Sequence, residues 1–189
     1  MIIYQLTRPF AYLEIKGVQG KGIFDWWIPI ALTLVTVILF KFTGDGELSK
    51  IVGKGNLIEG LSNFIQNLPG FYIAALAAIS TFNRPEIDHA LVSDGKKPYF
   101  IVKSVKNNGI KYDDEVKVTR RIFLCFLFSF LTAESFLMII INKFFDSLAI
   151  QGFIFPCIYA AIYLLMFWQL IITTFFGLYY LGNRIHIGD

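Results

Sequence analysis

Histidine and cysteine occur only twice each among 189 residues, which leaves little material for metal or nucleophile chemistry. His89, although it follows Glu86 and Asp88, and His186 are read as part of no metal-ligand set, so no metal and no other cofactor is expected. Cys125 and Cys157 lie inside apolar runs and read as small hydrophobes rather than a disulfide or metal pair. Charge is scarce too. Charged residues make up 16% of the chain against 56% apolar, a balance that excludes an ordinary soluble globule of this length. No cleaved secretory leader is expected: Met1 to Gly22 alternates apolar residues with Arg8, Glu14 and Lys16 instead of running from a basic start through an apolar stretch to a cleavage site. Gly17, Gly20 and Gly22, and later Gly44, Gly46, Gly53 and Gly55, lack the strand, the Lys-Ser/Thr pair and the helix of a phosphate loop and read as surface turns. With no catalytic motif in sight, a non-enzymatic role is expected.

What the chain has in quantity is aromatic and aliphatic side chains. Twenty Phe, nine Tyr and three Trp suit packing in lipid and anchoring at its two surfaces. Phe24 to Phe42 is a nearly uncharged run with Trp26 and Trp27 at one end and Lys41 at the other, close to the ~20 residues that cross ~30 Å of hydrocarbon. Ile122 to Ile141 follows Arg120 and Arg121, and Phe153 to Tyr180 follows a polar break around Asn142 to Gln151. The last run is long enough to require tilt, a kink near Pro156, or a protruding end. Between these lies a weaker candidate: Leu68 to Phe82 is apolar, while Leu57 to Asn67 carries Glu59, Asn63, Gln66 and Asn67. At helical spacing Asn56, Gly60, Asn63, Asn67, Gly70, Ala74 and Ala78 fall on one stripe, and its Gly70, Ala74 and Ala78 form a small-xxx-small series, the pattern of a helix-packing or oligomer face. The expected fold is an all-α membrane protein with four transmembrane helices (about 24–42, 57–82, 122–141 and 153–180) and a small cytoplasmic insert of one helix and a β-hairpin. Its divisions are 1–82, 83–121 and 122–189.

Lys and Arg placement sets the orientation. Arg8, Lys16, Lys21, nine residues between Arg84 and Arg121, and Arg184 total thirteen on one side, against Lys41, Lys50, Lys54 and Lys143 on the other. Positive charge stays cytoplasmic, so both termini and the central insert are expected inside, with a bacterial inner membrane as the simplest setting. The same totals arise if the second segment does not cross and the amino terminus lies outside. Four spans are preferred because a soluble loop would not readily hide Leu68 to Phe82.

The insert, Asn83 to Arg121, is polar. Pro85 to Leu91 reads as a short helix ended by an Asp94-Gly95 turn. Tyr99 to Val105, Asn107-Asn108-Gly109 and Ile110 to Val118 read as a β-hairpin. An isolated hairpin is marginal in water, so pairing with another subunit or a partner is expected, and the docking candidates are Lys96, Lys97, Tyr99, Lys103, Lys106, Lys111 and Tyr112. Direct nucleic-acid contact is disfavoured, because Asp113, Asp114 and Glu115 break the basic patch and basic cytoplasmic loops are what topology requires.

The intramembrane polar candidates are Glu59 and Glu134. Glu134, near the middle of its run, is costly unless neutral, paired or facing water; it is expected to face protein, bonded to Ser135, Gln169 or another subunit, or else to couple protons or ions or to sense membrane perturbation.

In organisation the whole chain resembles the membrane subunit of Kiwa, a two-component bacterial anti-phage defence system. The resemblance rests on Trp26-Trp27-Ile28-Pro29 opening the first span, the Asn83 to Arg121 insert, and two helices closing at Gly182-Asn183-Arg184. It implies a membrane homo-oligomer, a tetramer, that senses phage attachment or injection and works with a cytoplasmic DNA-binding effector partner. The rival reading is a small channel or holin-like pore in which Asn56, Glu59, Asn63 and Gln66 line a hydrated path. A transporter or an assembly subunit is a weaker third, since one polar half-helix supplies few substrate ligands.

Overall fold

Backbone amides that leave water must bond within their own segment, and the apolar runs do so as helices. The computed structural model describes residues 2–43, 51–52, 55–81, 83, 85–91, 98–105, 111–148 and 154–184. Among them four stretches are long and apolar enough to cross a membrane: Ile23–Phe42, Leu57–Thr81, Arg120–Phe145 and Ile154–Gly182. The chain is mostly helical, with one small antiparallel sheet.

The amino-terminal segment passes through α1 (Ile2–Thr7), a 3-10 turn (Arg8–Phe10) and α2 (Ala11–Glu14). A π-helical turn, Ile23–Trp27, opens α3 (Ile28–Thr43). The second apolar stretch is two helices, α4 (Leu57–Ile65) and α5 (Leu68–Thr81). Pro69 explains the break, since a proline within a continuous helix lacks an N–H and its ring meets the carbonyl four residues back; here it falls in the first turn of α5 instead. The insert contains α6 (Pro85–Asp88), β1 (Tyr99–Val105) and β2 (Lys111–Lys117), and α7 (Arg120–Leu148) and α8 (Ile154–Tyr179) follow, closed by a second π-helical turn, Tyr180–Arg184.

Contacts fix the topology. Tyr72 meets Phe128 while the Arg121 side chain reaches the Ile79 carbonyl, so α5 and α7 are antiparallel. Phe123 packs on Tyr180 and Phe145 on Tyr159, so α7 and α8 are antiparallel. Phe24 stacks on Phe176 and Trp168 donates to Thr36, which sets α3 antiparallel to α8. The bundle therefore gathers the start of α3, the end of α5, the start of α7 and the end of α8 on the side that carries the insert. Leu124, Leu127, Leu131 and Met138 of α7 are wholly enclosed, along with Ile58, Ile65, Ile79 and Leu164. A Cβ on Gly177 would stand 2.9 Å from a Leu127 methyl, so glycine there lets α8 close on α7. α3 is the most exposed of the long helices, with Leu34, Val35, Ile38, Leu39 and Phe42 open to the surroundings.

Three expectations change. α7 runs to Leu148, through the polar break placed at Asn142, because the Tyr159 hydroxyl donates to Asn142 Oδ1 (2.7 Å) and Phe145 stacks on the Tyr159 ring at 3.8 Å. At 29 residues it is about 44 Å long. Pro156 falls in the first turn of α8, where its missing N–H costs nothing. α6 ends at Asp88 rather than Leu91, because Ala90 turns extended to bridge Thr119.

The hairpin is registered from Tyr99 opposite Lys117 to Val105 opposite Lys111. Its base is secured by its own chain. Lys16 and Tyr99 exchange both backbone bonds (3.0 and 3.1 Å) on one flank, and the Leu91 N–H bonds the Val118 carbonyl (2.9 Å) on the other. Phe100 meets Phe126 edge-on at 5.0 Å, and the Arg8 guanidinium lies over both rings and over Tyr4. Both flanks of the hairpin base are thus bonded by its own chain. The Asp94-Gly95 and Asn107-Asn108-Gly109 turns lie outside the described residues.

Candidate functional site

Lys21 and Asp25, one turn apart at the entrance to α3, are 8% and 2% exposed and form an ion pair. The Tyr12 hydroxyl donates to the second Asp25 oxygen (2.9 Å), and the Lys21 ammonium stands 4.2 Å over the Tyr12 ring. Gln169 of α8 donates to the Asp25 backbone carbonyl at 3.0 Å, within the π-helical turn, where the regular helical bonding shifts by a residue. Burial first, then the Asp25 carboxylate, holds the Tyr12 hydroxyl well above its ordinary value, and Glu134 adds to the same push. Tyr12 therefore remains a donor throughout the neutral range.

Glu134 is 1% exposed on α7, within electrostatic reach of Asp25, and its Oε2 has no hydrogen-bond partner. The two partners expected for it are bonded elsewhere: the Ser135 hydroxyl donates to the Thr132 carbonyl (2.9 Å) and the Gln169 amide to Asp25. The enclosed Lys21–Asp25 pair thus joins the amino-terminal segment, α3 and α8 through Tyr12 and Gln169, and Glu134 lies one turn along α7 from Phe130, on which Tyr12 stacks. A buried polar atom without a partner costs about 1–3 kcal/mol. Glu134→Met should accordingly raise the unfolding free energy of the purified chain by about that much, with function lost if the carboxylate is used. A drop in stability would show that Glu134 has a structural partner.

The predicted packing stripe points away from this cluster. Asn63, Asn67, Gly70 and Ala74 are exposed on the outer surface of α4 and α5, together with Gln66, while Ala78 is half-buried. The Gln66 amide donates to Asn63 Oδ1 and the Asn67 amide to the Asn63 carbonyl, both at 3.4 Å. Glu59 lies apart from them, half-buried in the first turn of α4, where it accepts the Gly55 N–H and so serves the helix end.

In the insert, Lys103 is registered opposite Asp113, Lys111 opposite Val105 and Tyr112 opposite Ser104. Along the two strands acids thus alternate in register with lysines. Tyr99 is half-buried at the base, and Lys96, Lys97 and Lys106 lie outside the described residues. Arg121 ties the insert to the bundle: it grips Asp88 through two bonds (2.6 and 2.9 Å) and donates to the Ile79 carbonyl at the end of α5 (2.8 Å). The hydrogen bond from Arg121 holds the Asp88 carboxyl below its ordinary value. A lowered folded value means the clasp contributes fully above the ordinary Asp pKa of about 3.9 and is lost as pH falls through the lower one. Carbon NMR of the Asp88 carboxyl should give a midpoint below about 3.9; a midpoint at or above it would show the clasp absent in solution.

Sequence reasoning passed over Tyr12, Lys21 and Asp25. The available signal was the Lys21 and Asp25 spacing of four at a helix start, with Asp25 at the head of a run whose other charge is Lys41. Among the described residues no three His, Cys, Asp or Glu gather as metal ligands would, and both cysteines are half-buried free thiols. No family model, curated protein or solved structure matches the chain.

Proposed function

We propose that this chain is a non-enzymatic, multi-pass protein of a bacterial inner membrane, with both termini and the insert in the cytoplasm, that assembles with copies of itself as the sensor and anchor of an anti-phage defence complex of the Kiwa kind. The observation that carries the reading is the outer face of α4 and α5. Asn63, Gln66 and Asn67 are exposed on a stretch apolar enough to span a membrane. Amides facing lipid are costly, whereas the same face of a second copy offers them partners, and Gly70 and Ala74 let two backbones approach. The insert, clasped to α5 and α7 by Arg121 and to the amino-terminal segment by Lys16, moves with the bundle, as a platform for a cytoplasmic DNA-binding effector would need to. The same amide face supports a second reading, a pore in which Asn63, Gln66 and Asn67 surround a wet axis of the oligomer.

Mild-detergent purification of the tagged chain from cells carrying its native gene neighbours, followed by intact-complex mass measurement, tests both. A homo-oligomer, tetrameric on the Kiwa reading, bound to a soluble DNA-binding protein is the expected result. A homo-oligomer alone that conducts ions in liposomes would move the assignment to the pore, and a lone chain would refute both.

A further inference from the structure

Arg8 opens the 3-10 turn behind α1 and is half-buried. Its guanidinium carbon stands 5.5 Å from the ring centroid of Tyr4, 5.2 Å from that of Phe100 and 5.3 Å from that of Phe126. The rings stabilise the charge, but they offer no oxygen lone pair to the five N–H groups of a guanidinium. Among the described residues no carboxylate, carbonyl or hydroxyl accepts from Arg8. Arg121, in contrast, directs its donors to Asp88 and to the Ile79 carbonyl.

The rings also fix the depth of this cation. Phe126 lies five residues along α7 from Arg121, about 8 Å at 1.5 Å per residue, just inside the apolar stretch that begins at Arg120. Phe100 belongs to the insert, beyond that stretch. The guanidinium, in contact with both, therefore stands where the apolar stretch ends. Tyr4 and Leu6, on α1 and outside all four stretches, are 42% and 71% exposed. Apolar side chains so placed suit the boundary between headgroups and acyl chains.

We propose that Arg8 binds the phosphate of a membrane phospholipid headgroup. The proposal rests on the reading that the four helices cross a bilayer. A guanidinium presents its N–H groups as a fork that two phosphate oxygens match, and Arg8 brings that fork to the bilayer surface with no protein acceptor in it. A free phosphate ion would satisfy the same N–H groups but leave Tyr4 and Leu6 in water. A phospholipid supplies the anion and the apolar surroundings together.

The test uses the full chain in phosphatidylethanolamine vesicles containing phosphatidylglycerol whose headgroup carries a photoreactive diazirine, with labelled residues read by mass spectrometry. Tyr4 and Leu6 should be labelled several-fold more than Trp27 and Tyr179, which are exposed on the same side of the bundle. A diacylglycerol carrying the same diazirine but no phosphate should label the four residues evenly, a comparison that needs no variant to fold. Arg8→Gln should abolish the excess. An excess that persists with the phosphate-free lipid or in Arg8→Gln would overturn the proposal, as would even labelling from the start. Its removal by inorganic phosphate would assign the site to a free anion and overturn the lipid assignment. Should a phospholipid with the diazirine in its acyl chain label none of the four helices, the membrane reading itself falls.

Discussion

Replacing Asp25 with leucine should destabilise the chain by about 3–5 kcal/mol, the range for stranding one partner of a buried ion pair. The loss has two sources: the Lys21 ammonium would remain enclosed with no counter-charge, and the Tyr12 hydroxyl would lose its acceptor. Thermal unfolding of the detergent-purified protein reads the effect. The double variant Lys21→Met with Asp25→Leu should recover most of it, since a buried pair exchanged for apolar residues of similar volume is often neutral. If the single variant unfolds like the parent, the pair is reached by water and the cluster is not the enclosed junction described above.

The second large effect concerns association. Asn63→Leu combined with Asn67→Leu should shift the purified assembly toward single chains, weakening each contact by about 1–3 kcal/mol at 0.6–1.7 kcal/mol per interhelical polar bond. That corresponds to a five- to hundredfold weaker contact at about 1.4 kcal/mol per tenfold. Both changes make the Leu57–Thr81 stretch more apolar, so they favour residence in lipid; disassembly would then come from lost contacts between copies rather than from failed insertion. An unchanged intact-complex mass would sink the proposal that this face joins copies.

Much of the architecture was legible because lipid-compatible helices announce themselves by length and composition alone. The four stretches and both strands follow from runs such as Phe24 to Phe42 and from the alternation of Tyr99 to Val105. Element ends were less legible, and the reasons are tertiary. Asn142 looks like a break until Tyr159 supplies its partner from 17 residues away. Gln66 and Asn67 look like the polar half of one helix, although Pro69 marks where the helix divides. The outward stripe on α4 and α5 was readable from 3.6-residue spacing because it needs only one element. The Tyr12, Lys21 and Asp25 cluster needs a fold to assemble it, and no local pattern gives Tyr12 a carboxylate thirteen residues ahead.

The clasp at Asp25 also constrains the order in which the molecule can be built. Its carbonyl bonds Gln169, 144 residues later in the chain, and Lys16 bonds Tyr99. Tyr12 packs on Phe123 and Phe130. At roughly 5–20 residues per second of synthesis, Asp25 waits on the order of ten to thirty seconds before Gln169 exists. The amino-terminal segment and the start of α3 are thus made well before the elements they seat against, and their docking is complete only after α8 has arrived.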